Sequence, residues 1–156
     1  MRDFDSAIRL KPDSDYFINR GIAKRKMGDP AGAITDFDTV IEGNPRNARA
    51  LYERADSYRA LGNRKRAIED YRTVLELRPS YSYAAFSLGA VLLETGDCER
   101  AVTMLKRAIA LGHRDSGAAY FFLGRAYQKL GRADLAREAL QRSHDMGYSE
   151  AKMEGK

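Results

Sequence analysis

The chain repeats itself at a fixed interval, and that property restricts its fold more than any other. Gly28 and Gly62, Ala33 and Ala67, Phe37 and Tyr71, Val40 and Val74, and Pro45 and Pro79 are each 34 residues apart. Five matches in one register define a repeat, and a period of this length is the signature of solenoids, propellers or arrays. The same step carries Gly62 to Gly96, Ala67 to Ala101, Tyr71 to Leu105 and Val74 to Ala108. It then lengthens to 35, taking Gly89 to Gly124, Gly96 to Gly131, Ala101 to Ala136, Leu105 to Leu140 and Gly112 to Gly147. One residue has been inserted near Gly112-His113-Arg114, where the earlier units close with proline.

Apolar residues recur at helical spacing on both sides of each central glycine. Leu88, Val91 and Leu92 precede Gly96, and Ala101, Leu105, Ala108 and Ile109 follow it. Each unit therefore reads as helix, tight turn and second helix. The turn glycine supplies the positive backbone dihedral that ends the first helix, and Asp29, Asn63 and Asp97 just after it are placed to cap the second. Gly21, Ala55, Gly89 and Gly124 fall in mid-helix, where glycine costs about 1 kcal/mol against alanine. A close helix crossing, expected against Ala33, Ala67, Ala101 and Ala136, offsets that cost.

At these residues the chain resembles the tetratricopeptide repeat family, from Ser14 to about Tyr148. The resemblance implies an all-α fold, a right-handed α–α superhelix (solenoid) of antiparallel hairpins. Four repeats are expected, over residues 14–47, 48–81, 82–116 and 117–150, with a tail at 151–156. The sequence departs from the family pattern at Arg20, Lys24 and Arg54, and at His113 and Tyr148 in place of the closing proline. The first group predicts a loosely packed first unit.

The second helices carry apolar pairs that should face the following unit: Ile34 and Ile41, Ile68 and Leu75, Val102 and Ile109. The last unit has Arg137 and His144 there, the polar face of a terminal cap. At the other end Phe4, Val40's counterpart Ala7, Ile8 and Pro12 copy the end of a second helix at a spacing of 33. Residues 1–13 are thus either a partial repeat, cut from a longer array, or an N-terminal capping helix.

Composition narrows the chemistry. Of 156 residues, 27 are Lys or Arg and 22 are Asp or Glu, and the excess is spread evenly, with 16 against 13 in residues 1–81 and 11 against 9 in 82–156. The basic clusters Lys24-Arg25-Lys26 and Arg64-Lys65-Arg66 are flanked by acids and read as solvated helix faces, so nucleic-acid binding is disfavoured. The single Cys98 fits a reducing compartment, and a cytoplasmic setting is expected. The longest near-apolar stretch, 84–93, is about half of what a membrane crossing needs. His113 and His144 stand far apart with no ligand-spaced Cys or carboxylate, and no phosphate loop or nucleophile with a partner is recognisable. No catalytic residue, metal or cofactor is expected, and the chain is not read as an enzyme.

The resemblance further implies that the first helices line a concave groove for a peptide or partner helix. Carried over position by position, the groove candidates are Asn19 in the first unit, Arg49 and Tyr52 in the second, Tyr83 and Phe86 in the third, and Phe121, Phe122 and Arg125 in the fourth. The C-terminal half is aromatic, the composition of an anchor pocket; alternatively its rings pack on one another between neighbouring helices. The family's chaperone-tail binders grip a carboxylate with Lys, Arg and Asn, but Ile18, Ile22, Glu53, Tyr83 and Phe86 stand at those places. The expected role is a protein-interaction scaffold for partners with apolar or aromatic anchors. RNA binding by the basic edges and a structural role in a longer array are the alternatives.

Overall fold

A computed structural model describes residues 14–148, which form eight helices and no strand. They are α1 (Ser14–Lys26), α2 (Pro30–Gly43), α3 (Ala48–Ala60), α4 (Arg64–Leu77), α5 (Ser82–Glu94), α6 (Cys98–Ala110), α7 (Ser116–Lys129) and α8 (Ala133–Asp145). Residues 1–13, where a partial repeat or cap was expected, and the expected tail lie outside the described residues. Each helix packs on the next, giving four hairpins stacked into an α-helical solenoid.

The punctuation follows from local chemistry. Gly28, Gly62, Gly96 and Gly131 have φ between +70° and +87°, the left-handed region that reverses the chain after each first helix. The Asp29, Asn63 and Asp97 side chains each accept from the amide three residues on, at Gly32, Arg66 and Arg100. Asn47 and Asp115 cap α3 and α7 in the same way, through Ala50 and Ala118.

The mid-helix glycines do sit at close crossings; the nearest atoms they meet belong to a residue beyond the alanine, and Gly124 also meets its alanine, at the Ala136 carbonyl oxygen 3.3 Å away. A Cβ on Gly21 would lie 2.7 Å from the Phe37 ring, on Gly89 2.7 Å from Leu105, and on Gly124 2.6 Å from Leu140. The facing residue is one helical turn beyond the alanine, and the large side chain fills the notch that glycine leaves.

The first unit is not loose. Ile18 and Phe37 are 1% and 0% exposed and form a small core with Ala33, Val40 and Ala50, while the main core runs from Ala48 to Ala139. The unusual cations are answered by acids 16 residues on. Arg20 donates from Nε and Nη2 to Asp36 at 3.0 and 2.6 Å, and Lys24 Nζ reaches the same carboxylate at 3.0 Å. One unit later Arg54 grips Asp70 at 2.8 and 2.7 Å and places Nη1 2.7 Å from Asp38 on the preceding hairpin. In the third and fourth units the same places hold Leu88 with Met104 and Leu123 with Ala139. Bidentate ion pairs thus replace apolar contacts at one register. Hydrogen bonds from Arg20, with Lys24 adding to them, hold the Asp36 carboxyl below the usual range although burial opposes this.

Candidate partner-binding groove

First helices touch one another directly across units, α1 with α3 and α5 with α7, whereas second helices chiefly meet the first helices flanking them. The first helices therefore line the pinched inner side of the stack. Its two halves differ in chemistry.

Ion pairs running along the stack cross-link the N-terminal half. Arg49 Nη1 lies 3.2 Å from Asp15 and Nη2 donates to Asn19 Oδ1 at 3.1 Å, so these two candidates bind each other. Arg25 pairs with Glu53 at 2.6 Å and lies 3.8 Å from Asp56, which also accepts from the Tyr71 hydroxyl. Burial pushes the Glu53 carboxyl up, against the opposing pull of Arg25. Glu94 lies 3.9 Å from Arg59 and 2.9 Å from Arg64.

From the second unit to the C-terminal end the rings make one unbroken chain. Tyr71 meets Tyr52 at a centroid distance of 5.7 Å, Tyr52 meets Tyr81 at 5.3 Å, and Tyr81 meets Tyr83 at 6.1 Å. Tyr83 then meets the His113 imidazole edge-on at 4.9 Å, and Phe86 stacks on its face at 4.6 Å. Phe86 continues to Phe122 at 5.6 Å, Phe122 to Phe121 at 5.8 Å, and Phe121 to Tyr148 at 5.6 Å. These are the offset and edge-to-face spacings that the ring quadrupole favours. Tyr52 also bonds Ser87 at 3.3 Å, and burial raises both the Tyr52 and Tyr71 hydroxyls, so both stay protonated.

Access varies along this chain of rings. Tyr83 is 40% exposed and Phe86 and Phe122 are half-buried, whereas Phe121, at 8%, forms floor. The Arg125 guanidinium stands 5.9 Å from the Phe121 centroid. Sequence reasoning singled out Tyr52, Tyr83, Phe86, Phe121 and Phe122 and missed Tyr71, Tyr81, His113 and Tyr148. His113 enters through the inserted residue, which turns its ring inward between Tyr83 and Phe86. It is 4% exposed, its Nδ1 has no hydrogen-bond partner, and burial depresses its pKa. The histidine is thus a neutral ring in an aromatic stack. A separate cleft of about 320 Å³ opens on the other wall, over Ile109, Tyr120, Leu123 and Leu135. No described helix is long and apolar enough to cross a membrane.

Stacked hairpins with a continuous inner wall define a helical-repeat scaffold for protein–protein interaction. Tetratricopeptide repeat family models match residues 18–82 and 52–101, and another matches 82–148. The chain belongs to the tetratricopeptide repeat family. No curated protein matches it. Among solved structures it is similar to a MamA protein at 28% identity and a TM-score of 0.80, covering 86% of this chain and 73% of that one. It is also similar to residues 41-end of MamA from Desulfovibrio magneticus RS-1, at 26% identity and TM-score 0.79, covering 85% and 74%. Pseudomonas aeruginosa pilF shares the fold at 21% identity and TM-score 0.77, covering 83% of this chain and 59% of that one.

Proposed function

We propose that this scaffold holds an extended segment or helix of a partner protein in its concave groove, anchored by apolar or aromatic side chains over Tyr83, Phe86 and Phe122. The observation that carries this reading is the unbroken line of rings from Tyr71 to Tyr148, accessible at Tyr83 and half-accessible beside it. Rigid aromatic surface binds with little loss of side-chain entropy, and anchors of this type dominate interface energetics. Tyr52 and Phe121 support the wall, while Arg125 at one end and Arg49 with Asn19 at the other orient the ligand.

Two further observations favour a protein partner. Among the basic residues of the second helix, Arg64 is engaged with Glu94 and Arg66 lies 5.4 Å from the Tyr58 ring, which weighs against a phosphate-gripping edge. At the places where chaperone-tail binders carry their clamp, Ile18 is buried and Glu53 is already paired, which weighs against a carboxylate ligand. The single buried thiol, Cys98, supports work in a reducing compartment such as the cytoplasm.

The test is capture of partners on the wild-type protein beside Tyr83→Ala and Phe86→Ala variants whose melting curves show intact folding. Partners retained by the wild type and lost from both variants support the groove. Equal capture by all three sinks it.

A further inference from the structure

One place on the outer wall changes its chemistry from unit to unit. Where α2, α3 and α4 meet, Arg54 spans the two second helices, reaching Asp38 on α2 at 2.7 Å and Asp70 on α4 at 2.8 and 2.7 Å. One unit on, Leu88 stands for Arg54, Met104 for Asp70 and Arg72 for Asp38, each displaced by 34 residues. In the last unit Leu123, Ala139 and Lys106 hold these places. The charged bridge is gone from both, and a cleft opens instead. The cleft between α4 and α6, of about 270 Å³, is floored by Leu88 and Leu92 of α5. Its counterpart between α6 and α8, of about 320 Å³, is floored by Leu123 and Tyr127 of α7. Met104 is half-buried and Leu135 is 44% exposed, so both clefts show apolar surface to solvent.

The rims of the clefts are cationic. Arg72, Arg100 and Arg107 stand with one acid, Glu76, at the first, and Lys106 and Arg142 with one acid, Glu138, at the second. Arg100 is answered by Asp97 at 2.9 Å and Arg142 by Glu138 at 2.8 Å. Arg107 donates from Nη2 to the neutral Pro79 carbonyl at 2.6 Å, and Arg72 and Lys106 form no ion pair among the described residues. The place that Asp38 fills at the first junction is thus taken, in the next two, by an unanswered cation beside an apolar floor.

We propose that this outer wall is a second docking surface, separate from the inner groove, for an acidic segment of a partner protein. The segment sets an apolar side chain in each cleft and its carboxylates against Arg72, Arg107 and Lys106. Its carboxylates bring to the second and third junctions the charge that Asp38 provides at the first, and charge-assisted hydrogen bonds of this kind are the strong ones. The apolar surface of Met104 and Leu135 selects a peptide over a nucleic acid, whose phosphates would satisfy the cations and leave that surface wet. Complementary charge on the rim also steers encounter and fixes register.

Fluorescence anisotropy of the full chain with a labelled synthetic peptide, two leucines set in a run of glutamates, tests the docking. Versions with lysine for glutamate or serine for leucine should each bind at least about tenfold more weakly, because the rim charge and the apolar anchor are both needed. Arg72→Glu and Lys106→Glu should each weaken the glutamate peptide at least about tenfold, and Leu135→Ser about threefold or more. Lys26→Glu, the same charge change on α1 outside both clefts, should stay within about twofold of wild type. All four side chains are exposed, so matched melting curves should show intact folding. Absence of saturable binding by the glutamate peptide, or an equal loss in Lys26→Glu, would overturn the proposal. Displacement by oligouridine, with no preference for the leucine peptide over its serine version, would overturn it in favour of a nucleic acid. Self-association by light scattering that Lys106→Glu abolishes would overturn it in favour of a second copy.

Discussion

Replacing Gly89 by alanine should destabilise the protein even though alanine is the better helix former. The added methyl carbon would stand 2.7 Å from Leu105 Cγ, 3.0 Å from Cδ2 and 3.2 Å from the Leu105 backbone nitrogen. Leu105 is 0% exposed, and the nearest contact is its branch carbon rather than a flexible tip, so it cannot yield without moving α6 against α5. Helix propensity favours the alanine by about 1 kcal/mol, while overpacking a tight core costs typically about 1 to 3 kcal/mol. The net expectation is a loss of up to about 2 kcal/mol, and more for Gly89→Leu, which must displace a whole side chain. Gly43, in the last turn of α2, is the control: a Cβ there meets nothing within 4 Å, so Gly43→Ala should stabilise by up to about 1 kcal/mol. Gly89→Ala with Leu105→Ala should cost less than the two single losses added, because the second change empties the space the first needs. Urea denaturation of these variants and of Leu105→Ala alone measures all of this. The crossing argument fails if Gly89→Ala is stabilising to the same extent as Gly43→Ala, or if the double variant is strictly additive.

Breaking the Arg54–Asp70 pair from one side, by Arg54→Leu or Asp70→Met, should cost about 1 to 3 kcal/mol, less than a fully dry pair because both groups keep some water. The double variant imports the Leu88–Met104 combination of the next unit and should lie within about 1 kcal/mol of wild type by the same urea assay. Asp36 has a depressed folded pKa, so its contribution is complete above the unfolded value of about 3.9 and is lost as pH falls through the folded one. Acid melts of Asp36→Asn should show a smaller loss across that range than wild type. His113 is likewise depressed, so stability should fall as pH drops below its unfolded value of about 6.5, and His113→Leu should flatten that slope. On α8, Arg137 and His144 are exposed where other units bury or half-bury aliphatics, and Ile at both should promote self-association visible by light scattering.

The period made the hairpins legible because each signal in it is local. A glycine with positive φ, an Asp or Asn cap just after it and a small residue in mid-helix act within a turn or two of chain. Ion pairs escaped because their partners lie one hairpin or one repeat away. Arg20 and Arg54 stand out as departures, but the departure is answered by Asp36 and Asp70, which share the 34-residue spacing and could have been found by the same subtraction. Arg49 with Asp15 and Asn19 bridges a full repeat, so two groove candidates proved to be each other's partners. His113 was visible as an insertion, but an inserted residue has no counterpart in the other units from which to read its direction. The ring chain depends on that direction and on side-chain rotamers, which no spacing specifies.

Titration of a captured partner segment against wild type, Phe86→Ala and an Arg64→Ala/Lys65→Ala/Arg66→Ala variant, each with a matched melting curve, tests the central claim most directly. Removing one aromatic anchor costs about 2 kcal/mol or more, which at about 1.4 kcal/mol per factor of ten is a loss of roughly thirtyfold. The groove account predicts that loss for Phe86→Ala, near-unchanged affinity for the basic-cluster variant and weak dependence on salt. Normal binding by folded Phe86→Ala, together with failure of the basic-cluster variant and a steep salt dependence, would contradict it and assign recognition to the charged outer wall.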